Sequence, residues 1–340
     1  MLGGTSFVGG AVVEAALDRG WSVTTFNRGS RPEWRPGVEH VPGDRTRPYD
    51  VERLAAGRWD VAVDTWAAAP KVVRTSAELL GDAVGRYVYV SSRAVYARPY
   101  PSGLDESAAT VAASAGAPSV GYAEDKRGGE LAVEETFGGD RALLVRAGLV
   151  LGPGENLGRM RAWLAHVARS GTVLAPGGPE QPWRYVDVRD LAGWVLDAAE
   201  AGAAGPFNVV NRLGHTTTGS FLDACRGALP SPARFCWVSH EALTEAGVNR
   251  YAALPGWLPP TPEYDGFLTT DVRRAAAAGL RCRPVHETVA DTLDWLREAG
   301  GIGHDPRRDG GCQRQKAARL HLGAYLQPAR LPDAMKGQCG

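Results

Sequence analysis

Short apolar runs alternate with amphipathic stretches along the first two hundred residues. Val8, Val12, Val13, Ala15, Ala16 and Leu17 recur at helical spacing and predict a first helix, which Gly20 ends. Residues 21–26 then read as a strand, 38–44 as a short strand with a polar end, and 51–56 as a helix. A mostly apolar strand over 59–64 precedes an amphipathic helix over 72–84. Residues 86–92 are β-branched and aromatic and predict a strand that ends in two hydroxyls, Ser91 and Ser92. A polar loop over 99–118 leads to a helical run over 121–135, then to a strand and turn over 141–153. Strands alternating with helices imply right-handed βαβ units, and so an α/β protein with a doubly wound, Rossmann-like parallel sheet. Ligands of such sheets bind at the carboxyl ends of the strands, where Asn27, Asp44, Asp64 and Ser92 fall.

The pattern changes after residue 153, and a smaller C-terminal lobe is expected over 154–300. Its elements are a helix over 160–170, a strand over 173–178, and a strand-then-helix return toward the sheet near 181–210, in which Asp187 and Asp190 cap the helix. Closing helices fall at 271–279 and 283–295. Aromatic segments at 254–260 and 264–270 either fill core or roof a pocket. Residues 301–340 lose the periodicity outside 316–326 and read as a poorly ordered tail, with seven Lys and Arg against three Asp.

Composition narrows the field. The 340 residues are 44% hydrophobic, enough for a large core in one big or two modest domains. Lys plus Arg equals Asp plus Glu at 38 each, so no global field attracts nucleic acid or an anionic membrane, and neither partner is expected. Five cysteines, an odd number without paired metal spacing, suit reduced thiols in a cytoplasmic protein better than a disulfide framework, and no metal site is expected. No apolar run reaches membrane-spanning length, and no charged, apolar leader opens the chain.

The first ten residues carry the first candidate chemistry. A glycine-dense turn runs straight into the first helix, as when a nucleotide's phosphates lie against bare backbone. Gly3 supplies the tight turn, and Gly9 lets the helix approach the sheet; a plain structural turn is the alternative. The spacing is Gly3, Ser6, Gly9, with serine in place of the middle glycine. Only Met1 and Leu2 precede the loop, so either the feeding strand is unusually short or the start lies inside the true gene; the second is preferred, and a weakened first strand is predicted.

Asn27-Arg28-Gly29 lies at the tip of the next strand, where a dinucleotide fold meets the adenosine ribose. No acid stands there to bind both ribose hydroxyls, and Arg28 can pair with a 2′-phosphate, which favours NADP(H) over NAD(H). A solvated loop arginine is the alternative. Asp44 is a candidate acceptor for the adenine amine. Tyr122 and Lys126, four apart on a predicted helix, share a face, so an ammonium can lower the pKa of a phenol and hold ribose hydroxyls. Two solvated helix residues would show the same spacing.

Together the Gly-rich loop, the strand ending in Ser-Ser before Val95-Tyr96, and Tyr122-x-x-x-Lys126 resemble the extended short-chain dehydrogenase/reductase family, in its epimerase/dehydratase-like branch. The resemblance covers the chain to about Gly300. It implies that Ser92 polarises a substrate carbonyl, that Tyr122 is the acid/base and that Lys126 is its partner. It places Gly3, Thr5, Ser6, Phe7, Gly9, Asn27, Arg28, Asp44, Ala67 and Lys126 around the cofactor. Leu149 stands where nucleotide-sugar epimerases usually carry asparagine, which argues for a smaller or more apolar substrate. Arg93 and Ala94 stand where dehydratases usually carry an Asp-Glu pair, which weakens dehydration. The expected function is NAD(P)-dependent oxidation or reduction of a carbonyl or alcohol on a small-molecule substrate. The alternatives are a sugar-type epimerase or dehydratase with tightly bound NAD, and a non-catalytic RNA- or protein-binding relative. The resemblance also allows a homodimer.

Overall fold

The computed structural model describes residues 1–29, 35–169, 171–249 and 253–302. In chain order the elements are α1 (Phe7–Asp18), β1 (Val23–Asn27), β2 (Val38–Pro42), α2 (Pro48–Ala55), β3 (Trp59–Asp64), α3 (Pro70–Leu80), β4 (Val84–Ser92), α4 (Tyr122–Arg141), β5 (Ala142–Ala147) and β6 (Leu149–Leu151). They continue with α5 (Arg159–Ala168), β7 (Thr172–Pro176), β8 (Tyr185–Asp187), α6 (Val188–Glu200), β9 (Gly205–Val209), α7 (Thr218–Gly227), β10 (Arg234–Val238), α8 (His240–Glu245), α9 (Asp265–Leu268), α10 (Arg273–Ala277) and α11 (Val285–Glu298). Proline at the first turn of α2 and α3 needs no amide partner there and sets the helical φ.

The chain divides into two units, one of Met1–Gly148, Val188–Val210 and Thr269–Cys282, the other of Leu149–Asp187, Asn211–Leu268 and Arg283–Gly340. The division falls after Gly148 rather than after 153, and Thr269–Cys282 returns to the first unit, a return that the sequence pattern does not reveal. The expected tail lies outside the described residues except for Gly301 and Ile302.

In the first unit, β2 pairs with β1, and β3, β4, β5 and β9 pair in that order, every ladder parallel. Leu2 joins the two groups through single parallel bridges to Phe26 and Asp64. Its amide donates to Val63 O at 2.9 Å, the Gly3 amide to Phe26 O at 2.9 Å, and the Phe26 amide to Met1 O at 2.9 Å. The central strand that should feed the glycine loop is therefore one bridged residue, as weak as the sequence predicts. Helices α3 and α4 cover one face: Val73, Ala77, Leu80, Val133 and Phe137 pack with Tyr87, Tyr89 and Leu144. Helices α1 and α6 pack together elsewhere in the unit. The fold is the doubly wound, Rossmann-like α/β sheet expected.

The second unit carries two small parallel pairs, β6 with β8 and β7 with β10. Its core centres on Trp163, Trp183 and Phe221, the last two stacked at 4.4 Å between ring centroids. The run over 141–153, read as one strand and turn, splits at Gly148, where a Cβ would lie 2.7 Å from Val210 Cγ2. Cys225 and Cys282 are not in disulfides, whereas Cys236 is disulfide-bonded, so the thiols are not all reduced as expected. No described helix is long and apolar enough to cross a membrane.

Candidate functional site

The carboxyl ends of β1, β3 and β4 converge on the glycine loop. Gly3 and Gly4 have φ of 109° and 95°, values that suit glycine alone, and they turn the chain from the Leu2 bridge into α1. A Cβ on Gly9 would meet the Gly4 nitrogen at 2.9 Å, so the helix lies against the loop as the sequence requires. Phe7, with φ 34°, is the one described non-glycine residue on the left-handed side. Such backbone strain, of order 1–3 kcal/mol, persists where the surroundings impose it. Thr5 is half-buried in this loop and Ser6 is exposed. Ser6 stands at the N-cap of α1, and its side chain makes no capping bond to the first amides of the helix.

Asn27 braces this loop. Its Nδ2 donates to Gly3 O at 3.2 Å and its Oδ1 accepts the Gly29 amide at 2.9 Å. Arg28, next to it, is exposed at the strand tip. Asp44 follows β2; its Oδ1 accepts both the amide and the hydroxyl of Thr46, at 2.9 and 2.7 Å. The Thr46 amide bond does most to hold this carboxyl below its usual range, and the charge of Arg28 adds to it. From β3 the chain passes Thr65, whose Oγ1 lies 3.2 Å from where a Gly3 Cβ would be, then Trp66 and the exposed Ala67.

Lys126 sits 3% exposed on α4, and its Nζ donates to Trp66 O at 2.5 Å and Val90 O at 2.7 Å. It lies 4.8 Å from the centroid of the Tyr89 ring. An ammonium has three donors, so one N–H is left without an acceptor among the described residues. Burial pulls this group down to about 8, against the Asp64 charge, which raises it; Arg45 lowers it and Glu130 raises it. Tyr122, one turn earlier, opens the helix and is 56% exposed. Asp125 accepts from the Ser119 hydroxyl and from the Val120 amide, which anchors the chain entering α4. Ser92 ends β4, and its Oγ accepts the Ala94 amide at 3.1 Å, so its own proton remains to be donated. No hydrogen bond joins Ser92, Tyr122 and Lys126 among the described residues.

A second buried network seats the loop that follows β4. Arg146 on β5 grips Glu130 through Nε and Nη2 at 3.0 and 2.9 Å, and its guanidinium stands 4.9 Å from the Tyr96 ring centroid. The Tyr96 hydroxyl donates to Asn208 Oδ1 at 2.7 Å, and the Asn208 amide donates to Glu106. Arg93, beside Ser92, is buried and donates to Thr270 Oγ1 at 2.6 Å.

Sequence reasoning missed the ion pair beneath the site. Arg45 donates to both carboxylate oxygens of Asp64 at 2.5 and 2.7 Å. Burial, the largest single influence, raises the Asp64 carboxyl, but the Arg45 charge and the hydrogen bonds from Arg45, Trp66 and Tyr87 together hold the group below its usual range. The available signal was a carboxylate ending an apolar strand, which reads equally well as a ligand-facing tip. Among the described residues no cluster of His, Cys, Asp and Glu is arranged to hold a metal ion.

Comparison with known proteins follows this geometry. Residues 77–211 match the model of the NAD dependent epimerase/dehydratase family. No curated protein matches the sequence. Among solved structures, the chain is similar to the Bordetella bronchiseptica enzyme WbmH in complex with NAD+, at 18% identity and TM-score 0.64 over 88% of this chain and 98% of that one. It is similar to UDP-glucose 4-epimerase of Thermotoga maritima with UDP-glucose, at 16% identity and TM-score 0.63 over 88% and 98%. It is also similar to the Bordetella bronchiseptica enzyme WbmG in complex with NAD, at 15% identity and TM-score 0.62 over 90% and 94%. At these identities the likeness is one of fold. Over residues 77–211 the chain is thus similar to the NAD dependent epimerase/dehydratase family, and its fold is the one that these solved structures share.

Proposed function

We propose that the protein is an NAD(P)-dependent oxidoreductase that interconverts a carbonyl and an alcohol on a small metabolite. The observation that carries this reading is Lys126, a buried ammonium fixed by two backbone carbonyls at the strand ends, with one N–H left over and a tyrosine one turn away. A structural lysine has little reason to be buried there at the cost of its hydration.

The loop fits a dinucleotide. Gly9 leaves no room for a side chain beside Gly4, and the amides that open α1, which Ser6 does not cap, suit a pyrophosphate. Gly3, Thr5, Ser6, Phe7 and Gly9 would hold that pyrophosphate, Asn27, Arg28 and Asp44 the adenosine end, and Ala67 and Lys126 the nicotinamide end. Arg28, exposed at a tip without an acid, favours a 2′-phosphate and hence NADP(H). The bound nicotinamide supplies or accepts the hydride.

In reduction, Tyr122 gives its phenolic proton to the carbonyl oxygen as the carbon receives hydride. Ser92 donates to that same oxygen and orients it. Lys126 stabilises the phenolate left on Tyr122, which regains a proton from solvent. Oxidation runs the same transfers in reverse.

A second reading, epimerisation with retained NAD, is favoured by the family match and by the epimerase among the similar structures. The two separate in one experiment: titration of the purified protein with NADPH and NADH by nicotinamide fluorescence, alongside an assay for co-purified nucleotide. Exchangeable binding that favours NADPH supports the oxidoreductase. Co-purified NAD that does not exchange supports the epimerase. Binding of neither overturns both and favours a non-catalytic role.

A further inference from the structure

The ion pair beneath the strand ends has no part in the chemistry above, yet it reaches that chemistry through a single residue, Trp66. Asp64 has no exposed surface, and Arg45 comes to it from the loop after β2. Tyr87 donates its hydroxyl to Asp64 Oδ2 at 2.8 Å, and Arg45 Nη2 also donates to Ser76 Oγ at 3.1 Å. The Trp66 amide donates to Asp64 Oδ1 at 2.8 Å, while the Arg45 guanidinium stands 4.9 Å from the centroid of the Trp66 ring. Trp66 is thus held twice by the pair, once by its amide and once by its ring. Its carbonyl is the one that accepts Lys126 Nζ at 2.5 Å and the Tyr89 hydroxyl at 3.0 Å.

A buried ion pair is a poor source of stability, because apolar residues of similar volume often serve as well. Its advantage is direction: two parallel N–H donors on one carboxylate fix both groups at once. We infer that Arg45 and Asp64 are positioning residues for Lys126, clamping Trp66 by its amide and its ring so that its carbonyl, in the next peptide unit, aims the ammonium together with that of Val90. The inference rests on the reading of Lys126 as the ammonium that serves Tyr122 and the cofactor. The pair also presents no net charge to Lys126, whereas either partner alone would. The other groups that act on this ammonium are Glu130 on its own helix, which Arg146 and Arg127 already hold, and the neutral ring of Tyr89 on β4.

The test reads Lys126 directly, with no substrate or cofactor present. The chain has four lysines, at 71, 126, 316 and 336, so 13Cε-lysine labelling gives a simple spectrum, assigned by the signal lost in Lys126→Met. In the wild type, a fixed side chain gives Lys126 two distinct ε-methylene proton shifts. Asp64→Asn is expected to lower the titration midpoint of Lys126, and Arg45→Met to raise it. The double variant Arg45→Met/Asp64→Asn is expected to return the midpoint toward wild type while the two ε-proton shifts merge into one. Loss of packing alone would not move the single variants in opposite directions. Two distinct shifts retained in the folded double variant, or midpoints that do not separate in the single variants, overturn the inference. If these variants fail to fold, Arg45→Lys decides: it keeps the charge and loses the two-pronged bond, so the shifts merge with an unmoved midpoint or the inference fails. Failure to find a substrate would count against the oxidoreductase reading and leave this result unaffected.

Discussion

Gly9 and Gly4 stand so close that a Cβ on Gly9 would lie 2.9 Å from the Gly4 backbone nitrogen. The next residue, Gly10, would place its Cβ 3.8 Å from the Gly4 carbonyl oxygen, an ordinary contact. The two positions therefore make a matched pair. Gly9→Ala must push α1 away from the loop, and NADPH affinity should fall by at least about tenfold, roughly 1.4 kcal/mol. Gly10→Ala should bind NADPH as the wild type does and gain about 0.5–1 kcal/mol in stability from helix propensity. Fluorescence titration and thermal melts of both variants check this; equal loss in both would remove the loop from the cofactor site.

Tyr122 is 56% exposed and its hydroxyl makes no hydrogen bond among the described residues, so that hydroxyl is dispensable for folding. Tyr122→Phe should melt like the wild type and bind NADPH with unchanged affinity. Its kcat for a carbonyl substrate should fall by about 10²–10⁴-fold, the usual worth of a positioned acid. A variant that kept full activity would move the proton donor elsewhere.

How far the sequence reveals this site depends on whether each feature is local. The turn at Gly3, the close approach at Gly9 and the strand ending at Ser92 are written in contiguous residues, and the structure has all three where the pattern puts them. The single bridged residue at Leu2 was legible for the same reason, because too few residues precede the loop. Arg45 and Asp64 are 19 apart in sequence, and nothing local distinguishes a buried ion pair from two polar strand ends. Residues 211–253 carried no assignment, yet they hold α7, β10 and part of the second core; α7 opens with a Thr217–Ser220 capping box that was readable, whereas β10 gains its meaning from pairing with β7. The run over 141–153 is apolar apart from Arg141 and Arg146, and periodicity cannot report that it supplies strands to two separate sheets.

Lys126 sets a pH dependence with opposite signs for activity and stability. Its pKa in the fold is about 8, below the ordinary 10.5, because burial disfavours the charged form. Between those values the unfolded chain holds more protons than the folded one, so this group makes the fold more stable as pH rises from about 8 to 10.5. The ammonium that supports the Tyr122 phenolate is lost over the lower part of the same range. The rate of carbonyl reduction should therefore fall as pH rises through about 8, while the Lys126 contribution to stability grows. Lys126→Met should abolish that stability increment. A pH–rate profile beside denaturant melts at pH 7, 8 and 9.5 checks both signs, and a wild-type rate that stays flat through this range would mean that Lys126 does not titrate where its burial indicates.

Arg28 gives the sharpest test of cofactor choice, because it is exposed and its loss should leave the fold intact. The neighbouring Asn27 side chain is already committed to Gly3 and Gly29, so Arg28 is the remaining donor of the 27–29 tip for a phosphate. A charge-assisted hydrogen bond contributes about 1.5–3 kcal/mol, which corresponds to roughly 10- to 150-fold in affinity. Arg28→Ala should weaken NADPH by that factor and leave NADH nearly unchanged, since NADH lacks the 2′-phosphate. The wild-type preference for NADPH should also shrink as salt rises, because the pair is exposed to solvent and screened. If Arg28→Ala instead weakens both cofactors equally, the arginine serves the shared diphosphate or the loop itself. The absence of an acid at the tip would then be the only remaining argument for NADP(H).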